Sequence, residues 1–301
     1  MAGQRPGAAN GPSLAEALAA ATGRRVAPTP EAVVHGGCIS ECLRWPAREG
    51  PLFVKLAAGD HIEMFEAEAE GLAALTRADA VRVPSVLGCG TAGGRAFLAL
   101  EWIEFGDASP RSEALLGEQL ALQHRVTADS FGWQRANTIG STPQSNSQDA
   151  DWQRFFAVHR LGYQLSLAAR NGHGGRLVDR GALLCERLGC FFERQRPVPS
   201  LLHGDLWGGN WAADASGRPV IFDPAVYFGD READLAMTRL FGGFGPSFYA
   251  AYEAAWPLEA GATERCTLYN LYHVLNHLNL FGGGYLRQAE DMIDELLALS
   301  G

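Results

Sequence analysis

The stretch that most limits what this chain can fold into is LLHGDLWGGNWAADASGRPVIFD, residues 201–223. Three polar side chains stand in it at fixed intervals: Asp205, Asn210 five residues on, and Asp223 thirteen further. A glycine-rich turn holds the first two, and the short apolar run VIF delivers the third. Gly, Asp and Asn all favour tight turns, so either half alone is ordinary turn chemistry. In this order they supply what phosphoryl transfer asks of a protein. One carboxylate takes the proton of an attacking hydroxyl, while an Asn and a second Asp hold Mg²⁺ on the phosphates of ATP.

HGDLWGGN runs in register with the H-R-D-L-x-x-x-N loop of protein kinases, with Gly204 in place of Arg and Pro224 where Phe follows the metal Asp. Upstream, EAVVHGG, ECLRW and PLFVKL read as strands around a glycine turn at residues 35–40. Gly36 and Gly37 carry no Cβ there, so backbone N–H groups can approach phosphates. No G-x-x-x-x-G-K-[ST] occurs, which argues against a Walker-type site. Lys55 in mid-strand reads alone as a solvated residue. The helix expected over residues 61–77 changes that. Its apolar stripe runs Phe65, Leu72, Leu75, and Glu68 lies on the same stripe, whereas Glu66 and Glu70 fall on solvated faces. A Lys–Glu pair of this kind holds the Lys on the nucleotide phosphates. Two more strands follow, VRVPSVLGCG and RAFLALEWIEFG. The second ends at Glu101, Trp102 and Ile103, the expected hinge whose backbone meets adenine.

The expected fold is α+β, a protein-kinase-like pair of lobes. Residues 1–13 form a Gly/Pro/Ala-rich disordered tail, and Ser13 caps a helix over residues 14–22. Residues 14–103 form an ATP-binding lobe of antiparallel sheet with one helix, and residues 104–301 a larger, mainly helical lobe. Helices are expected at 114–127, 151–169 and 177–195. The polar stretch 131–147 reads as an ordered loop because of its two aromatics. In the run Asp230, Arg231, Glu232, Asp234, solvated charge competes with a role in anchoring the catalytic loop, Asp234 being the candidate. His273 and His277 stand one helical turn apart, but Val274 occupies the place where a zincin carries Glu, so packing is expected. A net charge of −9 argues against nucleic acid and suits an amine-bearing substrate. No apolar run approaches the ~18 residues of a membrane span, and the N-terminus lacks a signal-peptide pattern. Six Cys without C-x-x-C spacing read as reduced thiols in a cytoplasmic protein.

The segments GGCIS, FVK, MFEAEAEGL, LEWIEFG, IGSTPQSN, LLHGDLWGGN, DPAVYFGDREADLAM and LYNLYHVLNHLNLFGGGY span residues 36–285. Together they resemble the fructosamine kinase (ketosamine kinase) family. HGDLW and DPAVYFGDRE are far more specific than a generic kinase loop. The N-terminal extension departs from the family, as does Arg135 just before Asn137. The resemblance implies an aminoglycoside-phosphotransferase-like kinase fold. It also implies phosphorylation by ATP of the O-3 hydroxyl of a ketoamine, a sugar joined through C-1 to an amine such as lysine, after which the adduct breaks down and frees the amine. It makes Asp205 the base, Asn210 and Asp223 the Mg²⁺ ligands, and Lys55 with Glu68 the phosphate pair. Trp207 and Asp230 fall beside the substrate. Members like this one lean toward ribulosamines and erythrulosamines over fructosamines. Cys38 inside HGGCIS is either a small turn residue or a thiol among N–H donors. The resemblance implies redox control through it, so the chain is expected as a monomer or a disulfide-linked homodimer. Competing readings are another small-molecule kinase of this fold, a non-catalytic ATP-binding module, and a metal hydrolase built on His203, Asp205, His273 and His277.

Overall fold

The computed structural model describes residues 12–34 and 40–300. The chain divides into two compact units, Met1–Ala69 with Ser85–Trp102, and Glu70–Pro84 with Ile103–Gly301. The expected glycine turn, with Gly36, Gly37 and Cys38, lies outside the described residues.

In the first unit, α1 (Leu14–Thr22) opens with a capping box between Ser13 and Glu16 and ends at Gly23 in the left-handed conformation. The strands are β1 (Ala32–Val34), β2 (Glu41–Trp45) and β3 (Leu52–Ala58), then β4 (Val86–Ala92) and β5 (Arg95–Glu101), with α2 (Ile62–Ala78) between. They form one antiparallel sheet in the order β1-β2-β3-β5-β4. Side chains alternate along β3. Leu52, Val54 and Leu56 enter a core with Leu18 of α1, Trp45 and Phe97. Lys55 therefore points to the opposite face, where it meets Glu68 of α2. The two helices expected over residues 14–22 and 61–77 are present as α1 and α2. The sealed position of Leu18, with no exposure, makes truncation to Ala cost about 2–5 kcal/mol.

The second unit takes the last turns of α2 and the strand-like residues after it. The Ile221 amide donates to the Arg82 carbonyl at 3.0 Å, and the Arg82 guanidinium pairs with Asp214. Its elements run β6 (Phe105–Gly106), α3 (Pro110–His124), β7 (Asn137–Ile139), β8 (Thr142–Gln144) and α4 (Trp152–Phe156). A π-helical segment, Ala157–Gly162, joins α4 to α5 (Tyr163–Arg170), and α6 (Arg176–Glu186) follows. Then come β9 (Ser200–Leu202), β10 (Trp211–Asp214), β11 (Pro219–Ile221), β12 (Tyr227–Gly229), α7 (Glu232–Leu240), α8 (Pro246–Ala255), α9 (Ala262–Phe281) and α10 (Leu286–Leu299). Strands β11, β10 and β6 form one small sheet, and β12 pairs with β9. Helix α9 is buried on nearly every side from Leu268 to Leu278, as in the centre of a helical core. That position explains the polar residues of HVLNH: His273 and Asn276 are buried inside the unit.

Two sequence expectations change. Residues 131–147, expected as an ordered loop, take their order from strand pairing in the hairpin β7–β8. The Asn137 amide donates to the Val226 carbonyl at 2.9 Å, Gln144 donates to Asn137, and the Tyr272 hydroxyl donates to Gln144 at 2.7 Å. The helix expected over 177–195 stops at Glu186 and resumes as a 3₁₀ turn, Leu188–Phe192.

Candidate active site

Residues 203–226 leave β9 and return to β12, with the hairpin β10–β11 inside the excursion. The stem is an antiparallel ladder pairing Leu202 with Tyr227. At its mouth lies His203, fully buried, whose Nε2–H donates to the Phe222 carbonyl at 2.9 Å while Nδ1 accepts the Asp205 amide at 3.3 Å. One neutral imidazole thus ties the base segment to the segment carrying Asp223, and burial pushes its pKa down. Gly204 is required by its backbone, with φ at +84° and an added Cβ only 2.1 Å from the Ala225 carbonyl oxygen. No Arg could stand there.

Asp234, in the first turn of α7, accepts the amides of His203 at 2.7 Å and Gly204 at 2.8 Å. His124 of α3 donates to the same carboxylate at 3.1 Å, and its other nitrogen accepts the Tyr252 hydroxyl at 2.9 Å. Burial raises the pKa of Asp234, but these donors and the nearby imidazoles hold it net below its ordinary value. It is a fixed negative anchor for the loop.

Asn210 donates from Nδ2 to the Asp205 carbonyl at 2.8 Å and to Asp205 Oδ2 at 3.3 Å. Its carboxamide nitrogen is thereby engaged, which directs Oδ1 elsewhere. Asp223 is a non-glycine residue in the left-handed region, φ 58°. Such a conformation persists where the surroundings enforce it, and here it comes two residues after β11. Asp205 is pushed up to about 7, first by burial and then by the Asp223 charge, with the Asn210 hydrogen bond opposing. A carboxylate balanced there is a competent general base at neutral pH. The donor set fits Mg²⁺: an amide oxygen and a carboxylate are hard ligands, and the crowding of Asp205 by Asp223 is what a divalent cation relieves.

In the first unit, Lys55 Nζ donates to Glu68 Oε1 at 2.6 Å, and both side chains are largely buried. Glu101 ends β5 with its carboxylate accepting the amide and hydroxyl of Ser85. The Trp102 ring lies 5.1 Å from the Arg44 guanidinium and 6.3 Å from Phe53. Ile103 opens the second unit's second segment. Cys89 is pushed up to about 11 by burial and by Glu66 and Glu68, so it is a poor nucleophile.

Asp230 does not suit a substrate role. It is buried, accepts the Tyr269 hydroxyl at 2.5 Å and the Gln195 amide at 3.1 Å, and belongs to the packing around α9. Arg231 lies over Trp256 at 4.1 Å, and Glu232 pairs with Arg265 at 2.8 Å, so the whole charged run is interior. Glu70, expected to be solvated, pairs with Arg135 at 2.8 Å. His277 bonds from Nδ1 to the His273 carbonyl at 2.8 Å, and no group of three or more His, Cys, Asp or Glu is placed to hold a metal among the described residues. Trp207 is 40% exposed. The role of His203 escaped the sequence reading, although a His directly before G-D was the available signal.

The sequence profile of the fructosamine kinase family matches residues 11–299. The chain belongs to the fructosamine kinase family. It is 44% identical over 288 residues to a probable ketoamine kinase of Synechocystis sp., covering 95% of this chain and 97% of the relative. It is 42% identical over 269 residues to the chloroplastic protein-ribulosamine 3-kinase of Arabidopsis thaliana, covering 88% and 82%. A candidate fructosamine-3-kinase solved from Thermobifida fusca superposes with a TM-score of 0.84 at 33% identity, covering 95% and 99%. Macrolide 2′-phosphotransferase MphH of Brachybacterium faecium, at 17% identity and a TM-score of 0.56 over 92% of this chain and 96% of its own, shares the fold alone. The fold class is therefore protein-kinase-like, an antiparallel-sheet region followed by a mainly helical remainder.

Proposed function

We propose that this protein transfers the γ-phosphoryl group of ATP to the O-3 hydroxyl of a ketoamine, with ribulosamine and erythrulosamine adducts of lysine favoured over fructosamine. The observation that carries this reading is the loop geometry, in which Asn210 bonds to the Asp205 carbonyl and carboxylate, Asp234 holds the amides of His203 and Gly204, and Asp223 is the other carboxylate of the loop. Family relatives named for ketoamine and ribulosamine phosphorylation, at 44% and 42% identity, point to the acceptor. Asp205 takes the O-3 proton as the O–P bond forms and the bond to the β-phosphate oxygen breaks, releasing ADP. A secondary hydroxyl is a weak nucleophile, so orientation and proton removal carry the rate. Asn210 holds the Asp205 carboxylate in place and, with Asp223, would hold Mg²⁺, whose charge neutralises the phosphates. Lys55, fixed by Glu68, is the cation for the nucleotide phosphates, and the backbone of Glu101 to Ile103 meets adenine. Trp207, two residues from the base, flanks the sugar. The phosphorylated adduct would then break down and release the amine. The same reading has the chain work in the cytoplasm as a monomer or as a homodimer joined through Cys38.

ATP consumption against lysine-linked ribulose, erythrulose and fructose tests the proposal. Turnover of a ketoamine is expected, with Asp205→Asn lowering kcat about 10²–10⁴-fold while nucleotide binding persists. Turnover only of an aminoglycoside or choline, or near-normal turnover in Asp205→Asn, would sink it.

A further inference from the structure

Nine large apolar residues are exposed among the described residues, and three of them, Trp207, Phe241 and Phe281, belong to one continuous aromatic strip. From Trp207 the rings continue to Phe241 at 6.4 Å, to His277 at 4.8 Å, and from His277 to Phe281 at 5.4 Å and Tyr285 at 5.3 Å. The strip starts two residues after Asp205 and ends at the C-terminus of α9 and the turn beyond it. Phe241 is not placed loosely. The following glycines lie backbone to backbone on the catalytic loop, so that a Cβ on Gly208 would come within 2.8 Å of the Gly242 carbonyl oxygen and one on Gly243 within 2.6 Å of the Gly208 Cα. Trp211 Nε1–H also donates to the Gly243 carbonyl at 3.1 Å. The strip is thus fixed to the loop that carries the base.

We infer that this strip, beyond Trp207 at its sugar end, is the subsite for the amine carrier of the ketoamine: the protonated secondary amine and the alkyl chain of the lysine that bears the sugar. The inference rests on the function proposed above and specifies the part of the substrate which that function leaves open. Ring faces attract an ammonium and accept a methylene chain. The strip begins two residues from Asp205, whose carboxylate favours a cation. His277 adds no positive charge at neutral pH, because burial pushes its pKa down. On these five side chains a phosphate or carboxylate carrier would meet no cation and, with His277 Nδ1–H given to the His273 carbonyl, only the Trp207 indole and Tyr285 phenol as donors.

The test is steady-state kinetics at saturating ATP on two adducts of the same ribulose, one on methylamine and one on Nα-acetyl-lysine. Phe241→Ala and Phe281→Ala are expected to raise KM for the lysine adduct about tenfold, and so to change the ratio of the two KM values. Phe281→Tyr should restore the ratio and Phe281→Leu should not. Phe281 is exposed, so its variants leave the core intact. Equal changes for both adducts, or no change, overturn the inference. So does full rescue by Phe281→Leu, or a shift in sedimentation with no shift in the KM ratio, which would make the strip a contact between copies of the chain. Failure of the unaltered protein to turn over either adduct overturns the underlying function instead, and the carrier subsite with it.

Discussion

Gly204 and Asp234 fix the catalytic loop from two sides, one by being absent as a side chain and the other by accepting its amides. With φ at +84° and a carbonyl oxygen 2.1 Å from any Cβ, Gly204→Ala cannot be accommodated by a rotamer change. The backbone must move, and the two amides on Asp234 move with it. The variant should lose about 1–3 kcal/mol of stability from backbone strain and more than 100-fold in kcat, since misplacing a positioned group by 1 Å has that effect. Thermal unfolding and kcat on the same preparation check this, and a folded, fully active Gly204→Ala would show that the loop has slack. At this scale the sequence was informative where chemistry forces spacing. Asp205, Asn210 and Asp223 stood out because few structures need that set of intervals. Asp234 was legible because it opens an apolar helix directly after the metal-type Asp. Asp230 was misread because a carboxylate beside a glycine looks the same in a cleft as against Tyr269 in a core.

The pair Lys55–Glu68 belongs to the scale of elements, since strand alternation in β3 and the stripe of α2 bring the two together at 2.6 Å. Removing either side chain leaves the other charge largely buried without this partner, and such breakage costs more than the pair is worth intact. Lys55→Ala, Glu68→Ala and the double variant are therefore expected to show similar losses in kcat/KM for ATP, with a coupling energy of about 0.5–3 kcal/mol. Additive losses would show two independent residues. Periodicity made both elements legible, because a period of two or 3.6 survives in a single sequence. The hairpin β7–β8 was not, since its order comes from Asn137, Gln144 and Tyr272 bonding to one another and to the 225–226 backbone. Buried amides satisfying buried carbonyls read in a sequence as a polar loop.

Across the whole molecule, acid should act on two groups in opposite directions. His273 is held neutral, its pKa pushed from 6.5 down to about 3 by burial and by His277. Between those values the unfolded chain binds a proton that the native chain does not, so this stabilisation is complete above pH 6.5 and is lost as pH falls. Asp205 is pushed from 3.8 up to about 7, so its contribution is complete below pH 3.8 and is lost as pH rises. Each group tilts stability by about 1.4 kcal/mol per pH unit within its window, and the two nearly cancel from about pH 4.5 to 6. His203, also buried and shifted down, tips the balance toward loss in acid. In protein free of nucleotide and metal, Asp205→Asn should therefore steepen the fall in urea midpoint between pH 6.5 and pH 4.5. His273→Gln should flatten it, whatever either substitution does to the midpoint at pH 7. The slopes are the readout because they count protons, whereas a midpoint at one pH also records lost packing. If both variants kept the slope of the unaltered protein, neither group would be shifted as its surroundings require, and Asp205 would not be the neutral-range base proposed.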